Sequence, residues 1–134
     1  MPQTLTGTVK VDISAGELID KLTILQIKAE RIGDPSKLNN VQIALRHFSE
    51  IRDNALSPSD KLTRLEKRLK ALNEKLWDIE DEIRNCEAAK DFGPRFIELA
   101  RSIYQTNDER ANMKKQIDEL VGSTLTDEKS YADY

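Results

Sequence analysis

Apolar residues recur along this chain at spacings of three and four, and the pattern is cleanest in the second half. Leu62, Leu65, Leu69, Leu72, Leu76, Ile79, Ile83 and Cys86 alternate those spacings without a break, which is the signature of a coiled-coil seam. A second series follows the breaker Asp91-Phe92-Gly93-Pro94: Phe96, Leu99 and Ile103, then Met113, Ile117 and Leu120. If the chain reverses near Asp91, facing residues of an antiparallel hairpin have numbers with a constant sum. Phe96 with Cys86, Leu99 with Ile83, Ile103 with Ile79, Met113 with Leu69, Ile117 with Leu65 and Leu120 with Leu62 all satisfy it. The two slots that complete the second series are polar: Thr106, facing Leu76, and Arg110, facing Leu72. The spacing predicts helices over about 58–90 and 94–121, with Gly122 as a left-handed cap.

Upstream, Ser14-Ala-Gly-Glu17 reads as a capping box, Ser14 accepting from the Glu17 amide and Glu17 reaching back to the Ser14 amide. A first helix over 15–32 follows on Leu18, Leu22, Leu25, Ala29 and Ile32, and Ile19, Ile24 and Ile27 widen its apolar surface. Such a helix is expected to be covered on more than one side. Asp34-Pro35 opens a second helix, over 35–54, on Leu38, Val41, Leu45 and Phe48. Ser57 and Pro58 are expected to cap and open the third. Residues 8–13 alternate Val9, Val11 and Ile13, a short extended N-terminal arm expected to lie along the helices. Residues 122–134 lack periodicity, with Leu125, Tyr131 and Tyr134 available to anchor a tail. The expectation is an all-α helical bundle built on a long antiparallel coiled-coil hairpin, one domain over 1–134.

Composition agrees. The chain has 134 residues, 34% charged and 5% aromatic, with only 5 Gly and 4 Pro, a balance that suits long helices and one modest core. Net charge is −3 with both signs interspersed, so no basic stripe tracks a phosphate backbone and no polybasic tail meets an anionic membrane. Nucleic acid and membrane are not expected partners. No stretch approaches the ~18 apolar residues of a membrane span, and the N-terminus lacks a signal-like apolar run, so a cytoplasmic protein is expected. Cys86 is the only cysteine and His47 the only histidine, which excludes an intrachain disulfide, a thiolate cluster and a two-histidine metal site. Asp78, Glu80, Asp81 and Glu82 read as a solvated helix face. No cofactor or metal is expected.

The heptad register also sorts the flanks of the hairpin. One carries Arg64, Arg68, Lys75, Asp78, Glu82 and Asn85 against Glu98, Ser102, Gln105, Glu109, Asn112 and Gln116 and is expected to face solvent. The other sets Asn73, Trp77, Glu80 and Arg84 against Ala100, Tyr104, Asn107, Ala111 and Lys114. The two alanines admit another helix, so the first helix is expected here, bringing Glu17, Asp20, Lys21 and Lys28. A buried charge without a partner costs several kcal/mol. Arg110 should therefore turn to this flank and pair with Glu17 or Asp20, with Asn107 and Asn73 completing the cluster. Two readings follow. The cluster fixes register through internal salt bridges, or it binds a small anionic or polyhydroxylated ligand beside an aromatic wall. Ligand-binding candidates are Lys21, Lys28, Asn73, Trp77, Glu80, Arg84, Tyr104, Asn107 and Arg110.

The segments GELIDKLTILQIKAERI (16–32), LWDIEDEIRNCE (76–87), FGPRFIELARSIYQTNDERA (92–111) and GSTLTDEKSY (122–131) resemble a family of small bacterial and phage proteins of unknown function. Its members carry SxGELIDKxTIL, LWxIEDxIR, FxxRFIELARxVYxTNDxRAxxK and a closing EEKSY; Ile103 and Asp127 stand where the pattern often has Val and Glu. The resemblance implies a stand-alone domain, or one appended to helical repeats or glycosyltransferase modules, with no assigned activity. Its motif residues include Glu17, Asp20, Lys21, Lys28, Trp77, Glu80, Arg84, Arg101, Tyr104, Asn107, Asp108 and Arg110, which overlap the second flank. The functional expectation is a binding or accessory module that recognises a protein partner or a small anionic, sugar-like ligand; a link to glycan assembly rests on the resemblance alone. The alternative is a small all-α enzyme in the manner of chorismate mutase, with Lys21, Lys28, Arg84 and Arg110 stabilising an anionic transition state and Glu80 as acid or base. A homodimer is also expected, because two helices of about 30 Å cannot cover a hairpin of roughly 50 Å.

Overall fold

The computed structural model describes residues 5–126 and 128–134; Asp127, one residue of the closing motif, lies outside them. The chain is an all-α bundle with four helices: α1 (Ala15–Arg31), α2 (Pro35–Ala55), α3 (Asp60–Ala88) and α4 (Pro94–Val121). Among the described residues there is no strand, and no helix is long and apolar enough to cross a membrane.

The helix ends have local causes. Ser14 Oγ accepts from the Glu17 amide at 3.1 Å. The reciprocal half of the capping box is replaced, because the Glu17 carboxylate turns to Lys114 Nζ at 2.6 Å and Lys21 Nζ at 3.5 Å. Asp34 caps α2 by accepting from Lys37 at 2.9 Å. The cap of α3 is Ser59 and not Ser57: Ser59 Oγ accepts from the Leu62 amide at 3.1 Å, and Pro58 stays outside the helix. This later start puts Asp60 in the positive first turn and lets Leu56 fold back onto the core. α4 ends at Gly122, whose φ of 70° is the left-handed conformation that favours glycine, and Ser123 N–H closes the end by donating to the Asp118 carbonyl at 2.9 Å.

α3 and α4 form an antiparallel hairpin. Arg95 on the first turn of α4 pairs with Glu82 near the end of α3. At the other end Leu62 and Leu69 share one buried cluster with Met113, Ile117 and Ile19 of α1. α1 packs against both hairpin helices, and α2 stacks on α1, reaching α3 through an Arg52–Glu66 ion pair at 2.6 Å. Being covered on several sides, α1 buries Leu18, Ile19, Leu22 and Ile27, whereas α2 buries only Val41. At about 1.5–3 kcal/mol for each fully buried aliphatic side chain, α1 is the element that ties the bundle together. The hairpin tip is less covered, and Phe92 and Ile97 there are exposed. Residues 5–13 have no regular structure, and Val9 and Val11 are 85% and 71% exposed. The arm therefore does not pack along the helices as its alternation suggests.

Candidate functional site

A polar ladder joins α1 to α4. At its foot Gly16 presses on the backbone of α4: a Cβ there would stand 2.2 Å from the Lys114 carbonyl oxygen. The closeness lets the Gly16 amide donate to Asp118 Oδ1 at 2.6 Å, so a buried carboxylate from α4 satisfies one orphan donor at the positive end of α1. Along the ladder Glu17 meets Lys114, and Asp20 meets Arg110. Arg110 donates through Nε to Asp20 Oδ1 at 2.9 Å and through Nη2 to Oδ2 at 2.5 Å, the two-point geometry of a guanidinium on a carboxylate. Asn73 Nδ2 donates to Asp20 Oδ1 at 2.9 Å and to Thr23 Oγ1 at 3.0 Å. Thr23 Oγ1 in turn donates to the Asp20 carbonyl at 2.8 Å. Arg110 Nη1 lies 3.4 Å from Asn107 Oδ1. The polar slots in the seam are thereby accounted for: Arg110 leaves the seam for α1, and Thr106 is buried beside it at 1% exposure.

Asp20 is 1% exposed. Burial pushes its carboxyl up, but hydrogen bonds from Arg110 and Asn73, with the charges of Arg110 and Lys114, outweigh burial and hold it below the ordinary aspartate value. Burial likewise pushes Glu17 up, and Lys114 and Lys21 bring it below its usual value. The hydrogen bond to Asp20 raises Arg110, against a smaller opposing effect of burial. The cluster is a charged lock. Among the described residues, no buried side-chain nitrogen or oxygen lacks a hydrogen-bond partner.

The nine candidate residues do not form one site. Asn73, Asn107 and Arg110 meet in the lock. Lys21 is exposed beside Glu17, and Lys28 is half-buried farther along α1. Trp77 lies under Arg31, whose guanidinium carbon is 5.9 Å from the ring centroid, while Arg31 also bonds Asp78 at 2.6 Å. Glu80 and Arg84 pair with each other at 3.3 Å on the surface, away from Asp20. Their expected burial under α1 does not occur, since α1 ends against Lys70, Glu74 and Asp78. No group of three or more His, Cys, Asp or Glu among the described residues is placed to hold a metal ion.

Tyr104 lines a different feature, a cleft of about 620 Å³ between α4 and the C-terminal tail, with Asn107, Asp108, Arg110, Lys129, Tyr131 and Tyr134 also on its walls. Tyr134 Oη donates to Asp108 Oδ2 at 2.6 Å, and its ring meets Tyr104 edge-on, centroids 5.2 Å apart. The hydrogen bond to the Asp108 carboxylate raises the Tyr134 hydroxyl above its ordinary value. Sequence reasoning missed Lys129 because an aperiodic tail has no register, and the tyrosines in a polar segment were the only signal there. It also missed Gly16 and Asp118, whose close approach depends on interhelical distance.

These features define a small all-α module with a buried ion-pair cluster between α1 and α4 and an open cleft beside the tail. Over residues 9–133, all four helices and most of the tail, the chain matches the model of a family of unknown function, DUF6165, and it belongs to that family. No curated protein and no solved structure gives a significant match.

Proposed function

We propose that the protein is a binding module and that the α4–tail cleft takes a small anionic, polyhydroxylated ligand of the sugar-phosphate class. The observation that carries this reading is the placement of Arg110 and Lys129 with Tyr104, Tyr131 and Tyr134 around one open cleft. Cations pair with phosphate oxygens, and tyrosine rings offer an apolar face with a polar tip to a sugar. Arg110 is anchored by Asp20 on one side and reaches the cleft on the other, so the lock holds a recognition group in place. Against the enzyme reading stands the scatter of its cations: electrostatic catalysis needs preorganised cations facing the reacting molecule, whereas Lys21 stands beside Glu17, Arg84 pairs with Glu80 at the surface and Arg110 lies against Asp20. A sugar-like ligand is also the chemistry through which a role in glycan assembly would act.

Calorimetric titration with inorganic phosphate, hexose phosphates and nucleoside-diphosphate sugars tests the reading. Binding by the sugar phosphates, weakened at least about tenfold by Tyr104→Ala and by Lys129→Ala in variants that melt like the wild type, is the expected result. Absence of binding across the panel at millimolar concentration overturns it, as does binding indifferent to both substitutions.

A further inference from the structure

Only one flank of the α3–α4 hairpin is covered by α1. On the opposite flank two shallow furrows follow the helices. One, of about 490 Å³, is lined by Leu72 and Met113 between Lys75 and Glu109. The other, of about 500 Å³, is lined by Leu65 and Leu120 between Arg64 and Glu119. Leu120 is 39% exposed. Arg64, Arg68 and Lys75 make the α3 rim basic, and Glu109 and Glu119 make the α4 rim acidic. None of these five forms an ion pair among the described residues, although opposite charges border the same furrow.

A furrow with an apolar lining, one basic rim and one acidic rim is complementary to itself after a half-turn about an axis parallel to the helices. That rotation keeps each residue at its height along the hairpin and exchanges left for right. α3 of one copy then faces α4 of the other, Lys75 meets the second copy's acidic rim at Glu109, and Arg64 meets it at Glu119. We infer that this flank is the interface of a homodimer, two hairpins packed side by side with their two-fold axis along the helices. A two-fold contact must satisfy itself with the same patch on both copies, and the rims meet that requirement without an unlike partner. Leu120, 39% exposed, supplies apolar contact, and the rims select the register and exclude the wrong one. The inference is independent of the ligand proposal, because the cleft and this flank use different residues.

Sedimentation of the full chain tests it. The monomer mass is 15.3 kDa, and a species of twice that mass is expected at micromolar concentration. Lys75→Glu alone and Glu109→Lys alone should each weaken dimerisation at least about tenfold, with circular dichroism confirming that both exposed-site variants fold. Mixing the two variants should restore a heterodimer, because each charge then meets its opposite at both contacts. A monomer up to about 100 μM overturns the inference, including the case in which an unlike protein fills the flank. So do variants that dimerise like the wild type, and a mixture that stays monomeric.

Discussion

Replacing Arg110 by methionine removes the charge partner of a carboxylate that is 1% exposed and leaves Asn73 as its remaining side-chain donor. Breaking a buried ion pair from one side costs about 3–5 kcal/mol, since the surviving charge stays desolvated. Arg110 itself is 28% exposed, which allows some water to enter, so the lower end, about 3 kcal/mol, is expected near neutral pH by urea unfolding. The pH dependence provides a second readout. In the wild type the folded-state value of Asp20 is depressed, so its contribution is complete above the unfolded value and is lost as pH falls through the depressed one. In Arg110→Met burial prevails and raises the folded-state value, so Asp20 takes up a proton on folding and the variant gains stability as the pH falls below that raised value. The deficit should therefore be largest near neutral pH and shrink in mild acid. The double variant Asp20→Leu/Arg110→Met, with neither charge left to bury, should recover most of the loss or exceed the wild type, by up to about 1–4 kcal/mol. A single variant as stable as the wild type, or a deficit unchanged between neutral pH and mild acid, refutes the reasoning.

Gly16→Ala forces α1 away from the α4 backbone and weakens the bond to Asp118; a loss of about 1–3 kcal/mol, or more if the helix end is uncapped, is expected in thermal unfolding. Ser59→Ala removes the cap of α3 and should cost about 0.5–2 kcal/mol, whereas Ser57→Ala should stay within about 0.5 kcal/mol; equal effects in chemical unfolding contradict the assigned cap. The Tyr134 hydroxyl should titrate above an ordinary tyrosine in a spectroscopic or NMR titration, and Asp108→Asn should bring it down, because the accepting carboxylate is what raises it.

A heptad repeat sets the angular position of each side chain around its helix whatever else the chain does. That is why the turning of Arg110 toward α1 could be read from residue spacing. A guanidinium in an apolar seam must find acceptors, and Asp20 was within reach of the flank on which α1 had to dock. Angular position says nothing about how far a neighbouring helix extends or how steeply it crosses. α1 ends over Lys70, Glu74 and Asp78, which leaves Glu80 and Arg84 at the surface although they share the flank of Asn73. The choice of Ser59 over Ser57 was likewise open in the sequence, because both serines precede the apolar repeat closely enough to cap it. The approach of Gly16 to the Lys114 carbonyl is a distance between helices, which no periodicity encodes. The tail lacks periodicity altogether, so the meeting of Tyr134 with Asp108 and Tyr104 follows from the three-dimensional course of the chain after Gly122.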